Sequence, residues 1–171
     1  MMESKSMKTV TILLTKYSDL FGRFISWISG DGYSHASISI DEEEEIFYSF
    51  NAKGFAIEKP KKRTPKTRMP GSVSIRIQVP EHIHALMEEE IERFLEAREQ
   101  YRYSQVGVVL CLLHIPCKIR NRYFCSQFVA EVLSEAGAVK FNKKESLYLP
   151  EQLLDGIECL FSQKQIVYNA I

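Results

Sequence analysis

Few side chains in this sequence can serve as a nucleophile or a base near neutral pH: cysteines at 111, 117, 125 and 159, and histidines at 35, 82, 84 and 114. Cys125 has the most suggestive setting. After Ser126, the residues Phe128, Val129, Val132, Leu133 and Ala136 recur at helical spacing, and Gly137 follows as a stop. Cys125 therefore belongs at or just before the first turn of a helix. Unpaired backbone N–H groups and the helix dipole favour an anion there, and the thiolate is the reactive form of cysteine. The plainer reading is a small buried residue, the usual fate of a free cysteine.

A cysteine nucleophile needs a base within hydrogen-bond reach, most often histidine. Ser34–Ile40 alternates, with Ala36, Ile38 and Ile40 on one side and His35, Ser37 and Ser39 on the other. His35 thus opens a strand, just after a Gly30-Asp31-Gly32 turn, where a rigid backbone would hold its imidazole. An exposed histidine without a role is the alternative. His82 and His84 fall on different faces of a helix start and receive no role. Cys111, His114 and Cys117 are spaced by three, as part of a zinc site could be. Pro116 interrupts them and no fourth ligand is evident, so core packing is the expectation and no metal is assigned.

The elements that must position Cys125 and His35 are legible in outline. Thr9–Thr15 reads as a first strand. Ser18 offers a cap for a helix through Phe21, Phe24, Ile25 and Ile28, ended by Gly30. Asp41–Glu45 reads as a solvated acidic turn, and Ile46–Phe50 as the returning strand of a hairpin. Gly54–Glu58 is a further short strand. Lys59–Gly71, with three prolines and six basic residues, is a surface loop. Ser72–Val79 alternates as a strand, and Pro80 opens a long amphipathic helix. Val106–Ile115 is apolar throughout and fits a buried helix or a strand. Beyond the Cys125 helix, Pro150 starts another helix over Glu151–Gly156, and Gln165–Ala170 closes as a strand. A hairpin-rich sheet with inserted helices is α+β.

The composition narrows the class further. The chain has 171 residues, 45% of them hydrophobic, which suits one domain over 1–171 with a real core. Lys plus Arg and Asp plus Glu number 22 each, so no net charge recruits nucleic acid or an acidic membrane. Val10–Leu14 is too short for a signal-peptide core, and no segment is long enough to span a bilayer. The expectation is a cytoplasmic protein whose cysteines are thiols.

Tyr33-Ser-His35-Ala-Ser-Ile-Ser-Ile40, followed ninety residues later by Tyr123-Phe-Cys125-Ser-Gln-Phe-Val129, resembles the circularly permuted branch of the NlpC-type, papain-like cysteine hydrolases. That branch includes the bacterial YiiX-like proteins and the lecithin:retinol acyltransferase group. In it the histidine strand precedes the cysteine helix, the order seen here. The resemblance extends over roughly Thr9 to Pro150, through Tyr48-Ser-Phe50, Tyr103 and Leu147-Tyr-Leu-Pro150. It implies an antiparallel sheet, or half-barrel, packed against a helix with the nucleophile Cys125 at its N-terminus, and His35 as general base.

In that family a polar residue on the next strand orients the imidazole, usually His, Glu, Asn or Gln. Ile46-Phe-Tyr-Ser-Phe50 has none of these. Depending on whether the acidic turn has an even or odd loop, Tyr48 or Ser49 would share the side of His35, because one step of register reverses the faces. The Cys125 backbone N–H is the expected oxyanion donor, with Tyr103 or Tyr123 as a possible hydroxyl partner.

The resemblance implies a thiol hydrolase or acyltransferase that opens an amide or ester through a thioester. Its substrate would be a small peptide, a muropeptide or an acylated small molecule, and no cofactor is called for. The alternative, motivated by the missing third residue, is a catalytically weak or inactive module of the same fold that binds a peptide or lipid. Nothing in the sequence sets the oligomeric state.

Overall fold

A computed structural model describes residues 6–16, 32–62, 71–160, 164–168 and 170–171. The eight strands are β1 (Met7–Thr15), β2 (His35–Ser39), β3 (Phe47–Asn51), β4 (Gly54–Glu58), β5 (Val73–Pro80), β6 (Arg102–Tyr103), β7 (Arg122–Tyr123) and β8 (Lys164–Tyr168). The helices are α1 (Glu81–Glu96), α2 (Gln105–Leu112), α3 (Cys125–Glu135) and α4 (Pro150–Leu160). The proposed helix from Ser18 to Ile28, its Gly30-Asp31 turn and most of the basic loop after Lys62 lie outside the described residues.

Six strands form one antiparallel sheet in the order β4-β3-β2-β1-β5-β8, and β6 and β7 form a separate parallel pair. β1 is central, and its register sets Thr15 opposite His35, Leu14 opposite Ala36 and Ile12 opposite both Ile38 and Ile75. The alternation of these strands gives the sheet an apolar side. Ile12, Leu14, Ala36, Ile38, Phe50 and Ile75 meet Met87, Ile91 and Phe94 of α1 and Phe128, Val129 and Leu133 of α3 in one buried cluster. The architecture is α+β.

The centre of this cluster is aromatic. Phe50 and Phe55, from the β3–β4 hairpin, lie 5.4 and 5.6 Å by ring centroid from Phe128 of α3, and Phe94 of α1 lies 5.0 Å from it. These edge-on and tilted contacts lock the hairpin to the helix that begins at Cys125. The hairpin has no room for another shape: Gly54 has φ +109°, and a Cβ there would stand 2.5 Å from the carbonyl oxygen of Tyr101.

Several elements differ in detail from the sequence expectation. Within Val106–Ile115 helix α2 runs as far as Leu112, and Ser104 caps it through its Oγ, which accepts from the Gly107 N–H at 3.0 Å. The last helix runs on to Leu160, beyond Gly156. The acidic turn is not wholly solvated. Glu44 (φ 54°) turns inward, accepting from Thr11 Oγ1 at 2.8 Å and from Arg76 Nη2 at 2.8 Å. Alternating strands bring Thr11 and Arg76 opposite each other, which supplies the seat for this one carboxylate.

Candidate active site

Helix α3 starts at Cys125 because Phe124 is still extended (φ −110°, ψ 164°) and carries no capping side chain. The N–H groups of the first turn have no acceptor within the helix, and the Phe124 side chain does not cap them. The field of the helix start therefore falls on the Cys125 sulfur and the space beside it. The helix then buries every residue from Cys125 to Leu133, so its position against the sheet is fixed along its length.

His35 opens β2, bound to β1 opposite Thr15, with the preceding Ser34 N–H donating to the Thr15 carbonyl at 3.0 Å. The fold brings Cys125 near enough to His35 for the sulfur to act on the charge of the imidazole. The other contact of the ring is with Glu58, at the end of edge strand β4, whose Oε1 lies 2.9 Å from His35 Nε2. Burial disfavours the charged imidazole, but the Glu58 charge and the hydrogen bonds to Cys125 and Glu58 outweigh it and push the pKa up to about 10. Cys125 is 4% exposed and His35 3% exposed, so water screens little of this interaction.

Tyr48 and Ser49 do not take the position beside the imidazole. Tyr48 pairs with Ile38, which places it on the Ile38 side of the sheet, and its ring stacks on Phe55 at 6.1 Å. The odd loop between β2 and β3 gives Ser49 the side of His35 and Ser37, as expected for an odd loop, but Ser49 Oγ donates to the Ala36 carbonyl at 2.5 Å. The carboxylate that meets the ring comes from one strand further out. A single acidic residue ending a short strand, next to Lys59 and Pro60, carries no sequence signal that separates it from an ordinary surface glutamate. Only the hydrogen-bonding demand of His35 could have prompted a wider search.

Of the two tyrosines considered as oxyanion donors, Tyr123 directs its hydroxyl at Glu131 of α3, 3.4 Å away. Burial and that carboxylate together keep the phenol firmly protonated. Tyr103 lines a cavity at the start of α2.

The other cysteines stand apart from this arrangement. Cys111 is buried, and burial raises its thiol to about 11. His114 follows the end of α2 with φ 59°, which takes it off the helical line joining it to Cys111 and Cys117. Among the described residues no three His, Cys, Asp or Glu side chains converge as metal ligands would. Among them, too, no helix is long and apolar enough to cross a membrane. No family model matches the chain, and no curated protein matches it with significance.

Proposed function

We propose that the protein is a papain-like thiol hydrolase or acyltransferase, with Cys125 as nucleophile, His35 as its acid–base partner and Glu58 as the residue that orients the ring. One observation carries this reading: a buried imidazole contacts a carboxylate 2.9 Å away at Nε2, beside a cysteine at a helix start. That is the set of roles nucleophilic catalysis requires, a nucleophile, a base beside it and a group holding the base in one orientation.

The raised pKa of His35 means that the ring holds its proton at neutral pH. The cycle then starts from an imidazolium beside the Glu58 carboxylate, with the Cys125 sulfur as the nucleophile. The sulfur attacks a carbonyl carbon, and the oxyanion turns toward the Cys125 backbone N–H. His35 gives its proton to the departing amine or alcohol, leaving a thioester on Cys125. The neutral ring then takes a proton from water, or from an acceptor amine or alcohol, as that group attacks the thioester. Protonated His35 and the Cys125 thiolate are restored when the acyl group leaves.

Glu58 also removes the motive for an inactive binding module, which rested on the lack of a third residue. The test is a survey of activated esters with short and long acyl chains, and of small peptide amides, read by intact mass. A transient mass gain equal to the acyl group, mapped to Cys125 and absent in Cys125→Ser, supports the reading. Turnover that persists in Cys125→Ser contradicts it.

A further inference from the structure

Large exposed apolar side chains are scattered singly over most of the described surface, as on any soluble domain. On α2 and the turn after it they are not. Val106 (60% exposed), Val109 (50%), Leu113 (62%) and Ile115 (48%) fall within ten residues, and the first three recur at i, i+3 and i+7. They form one outward stripe. The opposite side of α2 is the part that packs, where Val108 and Cys111 contact Phe124 and Leu149. Helix α2 is therefore apolar all round but covered on one side only.

The charges carried by the stretch that bears the stripe have one sign. From Arg102 to Tyr123 the chain contains no Asp or Glu, although acidic and basic residues balance overall. Arg102, Lys118, Arg120 and Arg122 all lie in this stretch and all are exposed. The parallel β6–β7 pair sets Arg102 directly beside Arg122, and like charges opposite each other on neighbouring strands repel. A cavity of about 400 Å³ opens at the same place, lined by Tyr103, Ser104, Val106, Ile119 and Arg122 among others. It joins Arg122 to Val106, the first residue of the apolar stripe.

Lys118 is held by Glu131 at 2.6 Å, but an apolar helix face bordered by Arg102, Arg120 and Arg122 matches the two layers of an anionic membrane surface: acyl chains beneath and phosphates above. We propose that the exposed face of α2 docks on bilayers containing anionic phospholipid. Val109, Leu113 and Ile115 enter the headgroup–acyl boundary while Arg120, Arg122 and Arg102 meet phosphates. The docking does not depend on turnover at Cys125. Because α2 packs on Phe124, it would bring the bilayer to the side of the molecule from which Cys125 follows.

The test is cosedimentation of the full chain with phosphatidylcholine vesicles, with and without phosphatidylserine, at low and high salt. The expected result is binding to the phosphatidylserine vesicles that weakens with salt. Arg120→Glu should reduce it by at least about fivefold, the scale of one basic residue near a charged surface. Val109→Asp with Leu113→Asp should abolish it, with the thiol reactivity of Cys125 unchanged as a check on folding. No binding to the anionic vesicles overturns the proposal, as does binding that the double variant leaves intact. If sedimentation without lipid shows a dimer that the double variant splits, and vesicles do not compete with it, the face belongs to a second copy and the proposal fails.

Discussion

His35 Nε2 and Glu58 Oε1 are 2.9 Å apart, and both side chains are nearly sealed from solvent, at 4% and 10% exposed. The two residues come from strands that are not neighbours in the sheet, since β3 lies between β2 and β4. Their contact fixes the orientation of the ring, and it balances charge in a place where an isolated imidazolium would be costly.

Replacing Glu58 by Gln keeps the shape of the side chain and removes its charge. His35 would then lose the attraction that opposes its burial, and its pKa would fall. We expect the reactivity of Cys125 toward alkylating reagents near neutral pH to drop by about a hundredfold, within the range of a positioned acid–base group. Measuring that rate against pH in wild type and Glu58→Gln checks the idea. Equal profiles would show that the carboxylate does not act on the ring.

The same contact makes a statement about stability. A histidine whose folded pKa lies above its unfolded value contributes stability that is complete below about 6.5, the ordinary range. That contribution is lost as pH rises through the folded value of about 10. Denaturant midpoints should therefore decline from near neutral toward pH 10, and the decline should be smaller in His35→Gln. A His35→Gln curve parallel to wild type would contradict this.

Glu44 carries the opposite sign. Hydrogen bonds from Arg76 hold its carboxyl below the usual range, against the effect of burial, with Thr11 adding to them. The stability it gives is present above about 4.5 and is lost as pH falls through the depressed folded value. Melting temperatures of wild type and Glu44→Gln should differ most near neutral pH and converge in acid. A constant gap across that range would argue against the ion pair.

The hairpin that carries Glu58 stands on two supports that can be removed singly. Phe128→Ala would open a hole among Phe50, Phe55 and Phe94, at a cost of about 3–5 kcal/mol. Gly54→Ala would force a strained φ and a clash with the Tyr101 carbonyl, costing about 1–3 kcal/mol. Chemical denaturation measures both losses. A Gly54→Ala variant as stable as wild type would mean that the hairpin can shift, and its Cys125 reactivity would show whether Glu58 moved with it.

What the residues alone disclosed, and what they did not, follows from range. The helix after Cys125 and the strand from His35 are written in local periodicities of 3.6 and 2, which survive in a linear reading. The third group is non-local. Its place depends on the count of residues in the Asp41–Ile46 turn and on a second hairpin beyond it, and attention to the adjacent strand alone leads to Tyr48 or Ser49. Glu44 was hidden for another reason. In a run of acidic residues nothing marks the one that will fold back onto Thr11 and Arg76. The apolar run at 106–115 read as buried because hydropathy cannot say that only one side of α2 would find a partner.

The sharpest test concerns the sulfur itself. The rate at which a small alkylating reagent modifies Cys125 near pH 7, followed by peptide mass spectrometry, should far exceed that of an ordinary thiol such as exposed Cys159. It should also fall at least about a hundredfold in His35→Ala, with Cys159 unchanged. A slow Cys125 reaction that is indifferent to His35 would contradict the proposed chemistry.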